Sequence, residues 1–466
     1  MKVTLIQPPG LALRAKEFGY LHHVYRRIMP PSLPRVAALL RNDAEVRIQD
    51  LRIQAPEREE VYKEFPWEGY TLEAVRVGAP FEAAEEAIRK SDAIGLTSHF
   101  TFESGIIADI IAYAKKVNPQ GTMIIGGADA AARPEWYLQK GADLVFKGDA
   151  DPKELGNLER RIINPQRQPL HKQALPALDF LEYLSQYTES HDATLPDGVP
   201  TPIGFPYLTR GCPRSCDFCE VGKSRFEAMD LQTAKRMLDH YQTSGIRTLD
   251  FMDDNLLLTV QTPKGRESLL SVFHEMRDKG FAWEFPNGLE IGKLMEGEKI
   301  DTDLVDSLFW TEVIDGQRKG AFRLYFPVET VERREKYAKL VPLKRQHPLI
   351  KYLSEKGISQ IVLGTIIPPD ADTMTFDAIE DFYTGIRREV DGKTNLRFGI
   401  FHLIPIGTFR SMSTKYTHPE LWNFYTPTYD GKYFSAGELF RKRLELTRRI
   451  DTNNYDSMRK GGYKAI

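Results

Sequence analysis

The chain has 466 residues, too many for one ordinary domain, and at 41% hydrophobic and 27% charged it holds enough apolar material for more than one core. Lys and Arg (63) nearly balance Asp and Glu (65), leaving a net charge of −2, so no global field argues for nucleic acid or an anionic membrane as partner. The opening residues 1–10 carry too short an apolar run for a secretory leader and no stretch reaches the roughly 20 apolar residues of a membrane span, so the cytoplasm is the expected compartment.

Lys2–Gln7 alternates and then runs apolar, predicting a strand that stops at Pro8-Pro9-Gly10. Leu33–Arg41 has helical periodicity, and Glu45–Ile48 is a second short strand. Phe81–Lys90 reads as a charged helix, Asp92–Thr97 as an apolar strand and Ser104–Val117 as an amphipathic helix. Gly121–Gly127 is a strand ending in paired glycines, followed by a helix over Pro134–Lys140 and a strand over Asp143–Lys147. Such alternation predicts an α/β, doubly wound, Rossmann-like parallel sheet over residues 1–157. Ligands of such sheets bind beyond the carboxyl ends of the strands, which makes Pro8, Thr97, Ser98, His99, Gly126 and Gly127 its candidate binding residues.

Residues 158–202 lose this pattern and carry prolines at 165, 169, 176, 196, 200 and 202, the composition of a linker. Alternation resumes at the strand Phe205–Thr209 and continues through the helix Ala234–Ser244, the strand Thr248–Met252 and the helix Lys264–Lys279. Further strands are expected at Phe281–Glu284, Phe322–Phe326, Ile358–Thr365 and Leu396–Ile404, with helices at Leu349–Lys356 and Phe376–Glu389. Together they predict a partial β/α barrel over 203–410 and a less regular extension over 411–466. In that extension Arg441-Lys442-Arg443 and Arg448-Arg449 fall on a helix, Ser435–Ile450, and read as a solvated face. Tyr20, His22, His23, Tyr25 and Arg26 lie before Pro30-Pro31, as pocket-lining or ordinary surface residues.

The three cysteines of the whole chain, Cys212, Cys216 and Cys219, fall within eight positions as C-x3-C-x2-C, in a loop after an apolar strand. An odd, tightly spaced set does not make a disulfide framework. A structural zinc site wants four closed ligands, and there is neither a fourth cysteine nor a histidine within 20 residues. Three thiolates in a short loop suit three corners of a 4Fe–4S cubane, leaving the fourth iron open to a chelating molecule such as S-adenosylmethionine (SAM). The aromatic Phe218 just before the last cysteine belongs to the same pattern. There is no Ser-His-Asp spacing, no H-E-x-x-H and no phosphate-binding loop with Lys-Ser/Thr, so hydrolase and nucleotide-triphosphatase readings gain no support.

Here the chain resembles the radical SAM superfamily, and more narrowly its subgroup with an N-terminal cobalamin-binding domain. The resemblance runs over roughly residues 1–410. It is carried by Pro8-Pro9, Pro30-Pro31-Ser32-Leu33, Gly95-Leu96-Thr97-Ser98, Gly126-Gly127-Ala128-Asp129, Gly141-Ala142-Asp143 to Gly148-Asp149, Leu175–Asp179, Leu208–Pro213 and Asp250–Asn255. It implies a catalytic cluster on Cys212, Cys216 and Cys219, with SAM at the top of the barrel. Asp253, Asp254 and Asn255 would orient SAM or substrate, or cap the following segment. Glu329, in Pro327-Val328-Glu329-Thr330, resembles the family's strand-end pair near SAM, or is a solvated carboxylate. Pro405-Ile406-Gly407-Thr408 resembles a late family turn.

The resemblance implies cobalamin as well, although the D-x-H-x-x-G pattern is absent and Asp50-Leu51-Arg52 has no histidine after it. His99 is a corrinoid contact or a structural histidine. Gly126 and Gly127 would admit a macrocycle edge, or make a tight strand–helix turn. The expected activity is a cobalamin-dependent methyl transfer from SAM to a small metabolite, with an electron donor such as flavodoxin or ferredoxin. The alternatives are a cobalamin-independent radical SAM enzyme catalysing cyclisation, rearrangement or transfer of another SAM-derived group such as 3-amino-3-carboxypropyl, and a non-catalytic iron–sulfur scaffold.

Overall fold

The computed structural model describes residues 1–148, 161–165, 167–190, 195–331, 342–390, 394–406, 409 and 411–460. They divide into two units, 1–189 with 418–422, and 190–417 with 423–466.

In the first unit six parallel strands lie in the order Glu45–Asp50, Lys2–Gln7, Ala93–Thr97, Thr122–Gly126, Leu144–Phe146, Ile162–Ile163. By chain position this is 2-1-3-4-5-6, a flavodoxin-like winding whose order reverses between Lys2–Gln7 and Ala93–Thr97. The sixth strand comes from the segment read as a linker. Ala93–Leu96 is buried throughout, as a strand covered on both faces must be. The helix Ser104–Val117 buries Ile106, Ile107, Ile110 and Ile111, one face of a 3.6-residue period, in the same core as Ile94, Leu96, Met123 and Ile125. Each such side chain contributes about 1.5–3 kcal/mol on burial.

A second sheet was not anticipated. Four antiparallel strands, Gly19–Tyr20, Gly10–Ala15, Tyr70–Val77 and Glu59–Trp67, are inserted into the winding. Glu68 (φ 48°) and Gly69 (φ 84°) make the tight turn between the last two, the left-handed pair that matches strand twist. Glu59–Trp67 escaped notice because four of its nine residues are charged, it carries Pro66 and it buries only Phe65 and Trp67. His22 is structural here: its Nε2 accepts from the Leu13 amide at 3.1 Å and its Nδ1 sits 2.8 Å from the His23 carbonyl. Residues 418–422 join this unit, with the His418 ring stacked 4.5 Å from Phe65.

In the second unit six parallel strands follow chain order: Ile203–Gly204, Thr248–Asp250, Ala282–Phe285, Gln317–Glu329, Gln360–Ile367 and Asn395–His402. The hairpin strand Thr311–Ile314 pairs antiparallel with the fourth. One-directional winding is that of a β/α barrel; among the described residues the first and last strands do not pair, so the barrel is partial. Asp250, Glu284, Arg323 and Gln360 stand in register across four strands. Arg323 Nη1 donates to Glu284 at 2.8 Å and to Ser190 Oγ at 2.9 Å, and its Nε donates to Gln360 at 2.5 Å. No helix among the described residues is long and apolar enough to cross a membrane.

Candidate active site

The cysteine loop leaves the short strand Thr209–Arg210 through Gly211, whose φ of 79° only glycine adopts freely. A Cβ there would lie 2.1 Å from the Arg225 carbonyl oxygen, so the loop closes on itself at this point. The Cys212 amide donates to Ser224 Oγ at 2.8 Å, and the Ser224 amide donates back to the Cys212 carbonyl at 3.0 Å. None of the three cysteines is in a disulfide; Cys212 is buried and Cys216 and Cys219 are half-exposed, as is Phe218.

Asp253, Asp254 and Asn255 follow the strand Thr248–Asp250, and each is spent on a successive part of this loop. Asp253 accepts from the Leu208 amide at 3.0 Å and from the Thr209 amide and hydroxyl at 2.6 Å. Asp254 accepts from the Gly211 amide at 2.6 Å. Asn255 Nδ2 points at Cys212 Sγ, 3.5 Å away, and donates to Glu290 at 2.9 Å. Burial pushes the Asp253 carboxyl up to about 7 despite its hydrogen bonds, with the neighbouring Asp254 charge acting in the same direction.

Arg214 and Glu290 complete this shell and were not singled out from sequence. Arg214 Nε donates to Glu290 at 3.0 Å, and a second guanidinium nitrogen bonds the other carboxylate oxygen. Glu290, first of all, and then the Cys212 and Cys216 sulfurs hold this guanidinium above its ordinary value. The pair lies 76 positions apart, so only the fold brings it together. Among the described residues no three His, Cys, Asp or Glu side chains are arranged around a single metal ion. A cubane instead asks each thiolate to take a different iron, and three cysteines outside any disulfide, the nearby cation and the donor aimed at sulfur fit that demand.

In the first unit, Pro8, Thr97, Ser98, His99, Gly126 and Gly127 lie at or just beyond the carboxyl ends of three neighbouring strands, around the switch point. Gly127 (φ 103°) packs against Ser98, whose carbonyl oxygen would be 2.3 Å from an added Cβ. Ser98 Oγ lies 2.7 Å from Tyr137 Oη, and Tyr137 also bonds Asp129, which is paired with Arg133 at 2.5 Å. Gly126 is different: an added Cβ there meets nothing within 4 Å; on the neighbouring strand's loop, Phe100 is 63% exposed. His99 is open to solvent and bonds Ser32 at 2.9 Å. Backbone left open at Gly126, at a strand's carboxyl end, has room for the flat edge of a macrocycle. Asp50 is consumed structurally, capping Leu51–Gln54 through the Arg52 amide at 3.0 Å and accepting from Tyr187 at 2.9 Å.

Solved structures share this arrangement over nearly the whole chain. The radical SAM methyltransferase TsrM from Kitasatospora setae, solved with cobalamin and a [4Fe–4S] cluster, superposes with a TM-score of 0.58 at 14% identity, covering 97% of this chain and 91% of that one. The cobalamin-dependent SAM radical enzyme OxsB gives 0.56 at 13% identity, covering 96% of this chain and 56% of OxsB. The chain has the fold of the cobalamin-dependent radical SAM enzymes. In sequence it is 23% identical over 414 residues to the cytidylyl-2-hydroxyethylphosphonate methyltransferase of Streptomyces wedmorensis, which is 77% of this chain and 71% of that enzyme. No protein-family model matches.

Within this radical SAM fold Glu329 ends the fourth barrel strand, is buried and has a φ of 59° beside a register shift. A left-handed glutamate costs of order 1–3 kcal/mol, and such strain concentrates at functional sites. The solvated-carboxylate reading of Glu329 is therefore set aside. Gly407 and Thr408 lie outside the described residues. Arg443 corrects the reading of a solvated helix face. Arg441, Arg448 and Arg449 of the helix Ala436–Ile450 are exposed, but Arg443 is turned inward and buried.

Proposed function

We propose that the protein is a cobalamin-dependent radical SAM methyltransferase acting on a small molecule. The observation that carries this reading is the braced C-x3-C-x2-C loop at the carboxyl end of a parallel partial barrel, in a chain that begins with a flavodoxin-ordered sheet open at its switch point. A bound cluster would supply an electron to cleave SAM, and a bound corrinoid would carry the methyl group. This chain's residues hold and tune those groups. Cys212, Cys216 and Cys219 would ligate iron, and Asp253 and Asp254 fix the backbone that presents them. Asn255 and Arg214 place positive dipole and charge beside the sulfurs, linked through Glu290. Glu329, held in a strained conformation at a strand end, is the candidate to orient SAM. Gly126, Phe100 and His99 form the candidate corrinoid ledge, and the Ser98–Tyr137–Asp129 chain holds its loop. Flavodoxin or ferredoxin is the proposed reductant, and the cytoplasm the proposed compartment.

The test is iron and cobalt per chain after anaerobic reconstitution with hydroxocobalamin, followed by mass spectrometry of SAM products under reducing conditions. About four iron and about one cobalt, with 5′-deoxyadenosine and S-adenosylhomocysteine formed, is the expected outcome. Four iron without cobalt would replace the methyltransferase reading by a cobalamin-independent one. Iron without any SAM cleavage would reduce the chain to a scaffold. Cys216→Ala is expected to lose iron and all SAM cleavage.

A further inference from the structure

Outside the cysteine loop, Arg443 is a buried cation with no ion pair among the described residues. Arg443 is 1% exposed, and among the described residues its Nε and one terminal nitrogen have no hydrogen-bond partner. Its other terminal nitrogen reaches the Ile400 carbonyl at a long 3.4 Å, and the Tyr425 and Phe440 rings lie 5.4 and 5.8 Å from its central carbon. His402, whose ring feels the Arg443 charge, is fully buried, and among the described residues neither ring nitrogen has a partner, although its amide donates to the Phe424 carbonyl at 2.7 Å. Both belong to the second unit. Ile400 and His402 are two residues apart on the last parallel strand, so they point to the same face, and His402 stands at that strand's carboxyl end.

We propose that Arg443 and His402 form a buried oxyanion site that takes the carboxylate or the phosphoryl or phosphonyl group of the substrate. The unpaired donors decide the ligand class. Burying an unpaired charge is unfavourable enough that buried charges are nearly always paired, so a partner of opposite sign is called for. Nε and a terminal nitrogen of arginine form a planar two-donor fork that matches two oxygens of one oxyanion. Burial, with the Arg443 charge, holds His402 well below its ordinary pKa, so it offers one N–H and one lone pair. Burial lowers Arg443 only to about 10, so it remains a cation at neutral pH. Only the assignment of the anion to a methyl acceptor rests on the methyltransferase reading; the binding itself does not.

The full-length chain, before and after cluster loading, is titrated with inorganic phosphate, methylphosphonate and acetate at constant ionic strength, with chloride as reference. Thermal unfolding and, for the phosphorus ligands, ³¹P line broadening report binding. The expected result is a saturable Tm rise of roughly 2–4 °C in the wild type, absent in Arg443→Met and weakened in His402→Phe. A response to the phosphorus anions assigns a phosphoryl or phosphonyl ligand; one to acetate assigns a carboxylate. Arg443→Lys keeps the charge but loses the fork, and its lost response decides the matter should Arg443→Met not fold. Equal responses in wild type and variants, or no response beyond chloride in any of them, overturn the site. Because iron loading and SAM cleavage are not the readout, failure here leaves the radical SAM reading untouched, and the converse holds.

Discussion

Two buried arginines in the second unit show how differently the middle and the carboxyl end of one sheet treat charge. Arg323, in mid-sheet, spends its donors on Glu284, Gln360 and Ser190, all buried with it. Arg443, packed where the last strand ends, has one long bond to a carbonyl. The same contrast divides the carboxylates. Glu284 is paired with a cation in register on the next strand, whereas Asp253 has no cation and is held by amides and a hydroxyl at the loop entrance. Compensated charge in the middle makes a specific core. At the entrance of the cysteine loop, charge is committed to bracing backbone amides.

The largest expected effect tests the compensated half. Glu284→Gln leaves Arg323 buried without its counter-charge and should cost about 3–5 kcal/mol, read as a fall in the urea midpoint. Arg443→Met in anion-free buffer should cost far less. If both variants lose equal stability, the contrast between the two arginines is broken.

Asp253 provides the next effect. Its folded-state pKa near 7 lies above its unfolded value, so it takes up a proton on folding between the two. Its stabilising contribution is complete at low pH and is lost as pH rises through about 7, by roughly 1.4 kcal/mol per pH unit across that window. Urea midpoints at pH 5 and pH 8 should differ in the wild type, and that difference should shrink in Asp253→Asn.

A smaller loss is expected at the loop itself. Gly211→Ala forces a Cβ against the Arg225 carbonyl at φ 79°, a strain of about 1–3 kcal/mol that should appear as reduced iron retention after desalting. The smallest change in stability, about 1 kcal/mol, belongs to Asn255→Leu. Its sharper readout is the cluster midpoint potential in an EPR-monitored titration. Losing a donor aimed at Cys212 Sγ should move that potential negative, and an unchanged value would remove Asn255 from the tuning role.

The elements with strong periodicity were legible in advance. Ser104–Val117 has the bounds expected of it, because four isoleucines mark a single face. Most strands of both parallel sheets were found to within a few residues, because strands covered on both sides are nearly continuously apolar; Ile162–Ile163 was read as linker, and the first barrel strand lies at Ile203–Gly204, before the expected Phe205–Thr209. The inserted antiparallel sheet was not, since its charged outer strand has no comparable run; Glu68-Gly69 between two aromatic residues was the signal available. The three cysteines announced the site by spacing alone. The roles of Asp253, Asp254 and Asn255 were open, and the structure shows their side chains turned into the cysteine loop.

What the sequence determined by itself is local: three thiols in one loop, the succession of strands and helices, and glycines where a side chain would collide. The first two follow from interactions within a few residues, while the glycines at 127 and 211 make room for backbone 29 and 14 positions away. Only the tertiary structure decided that Glu290 meets Arg214 and Asn255, that Glu329 ends its strand in a left-handed conformation, and that Arg443 turns inward while its neighbour Arg441 faces water. These depend on contacts between residues tens of positions apart. No periodicity encodes which buried polar group meets its partner and which is left to meet a ligand.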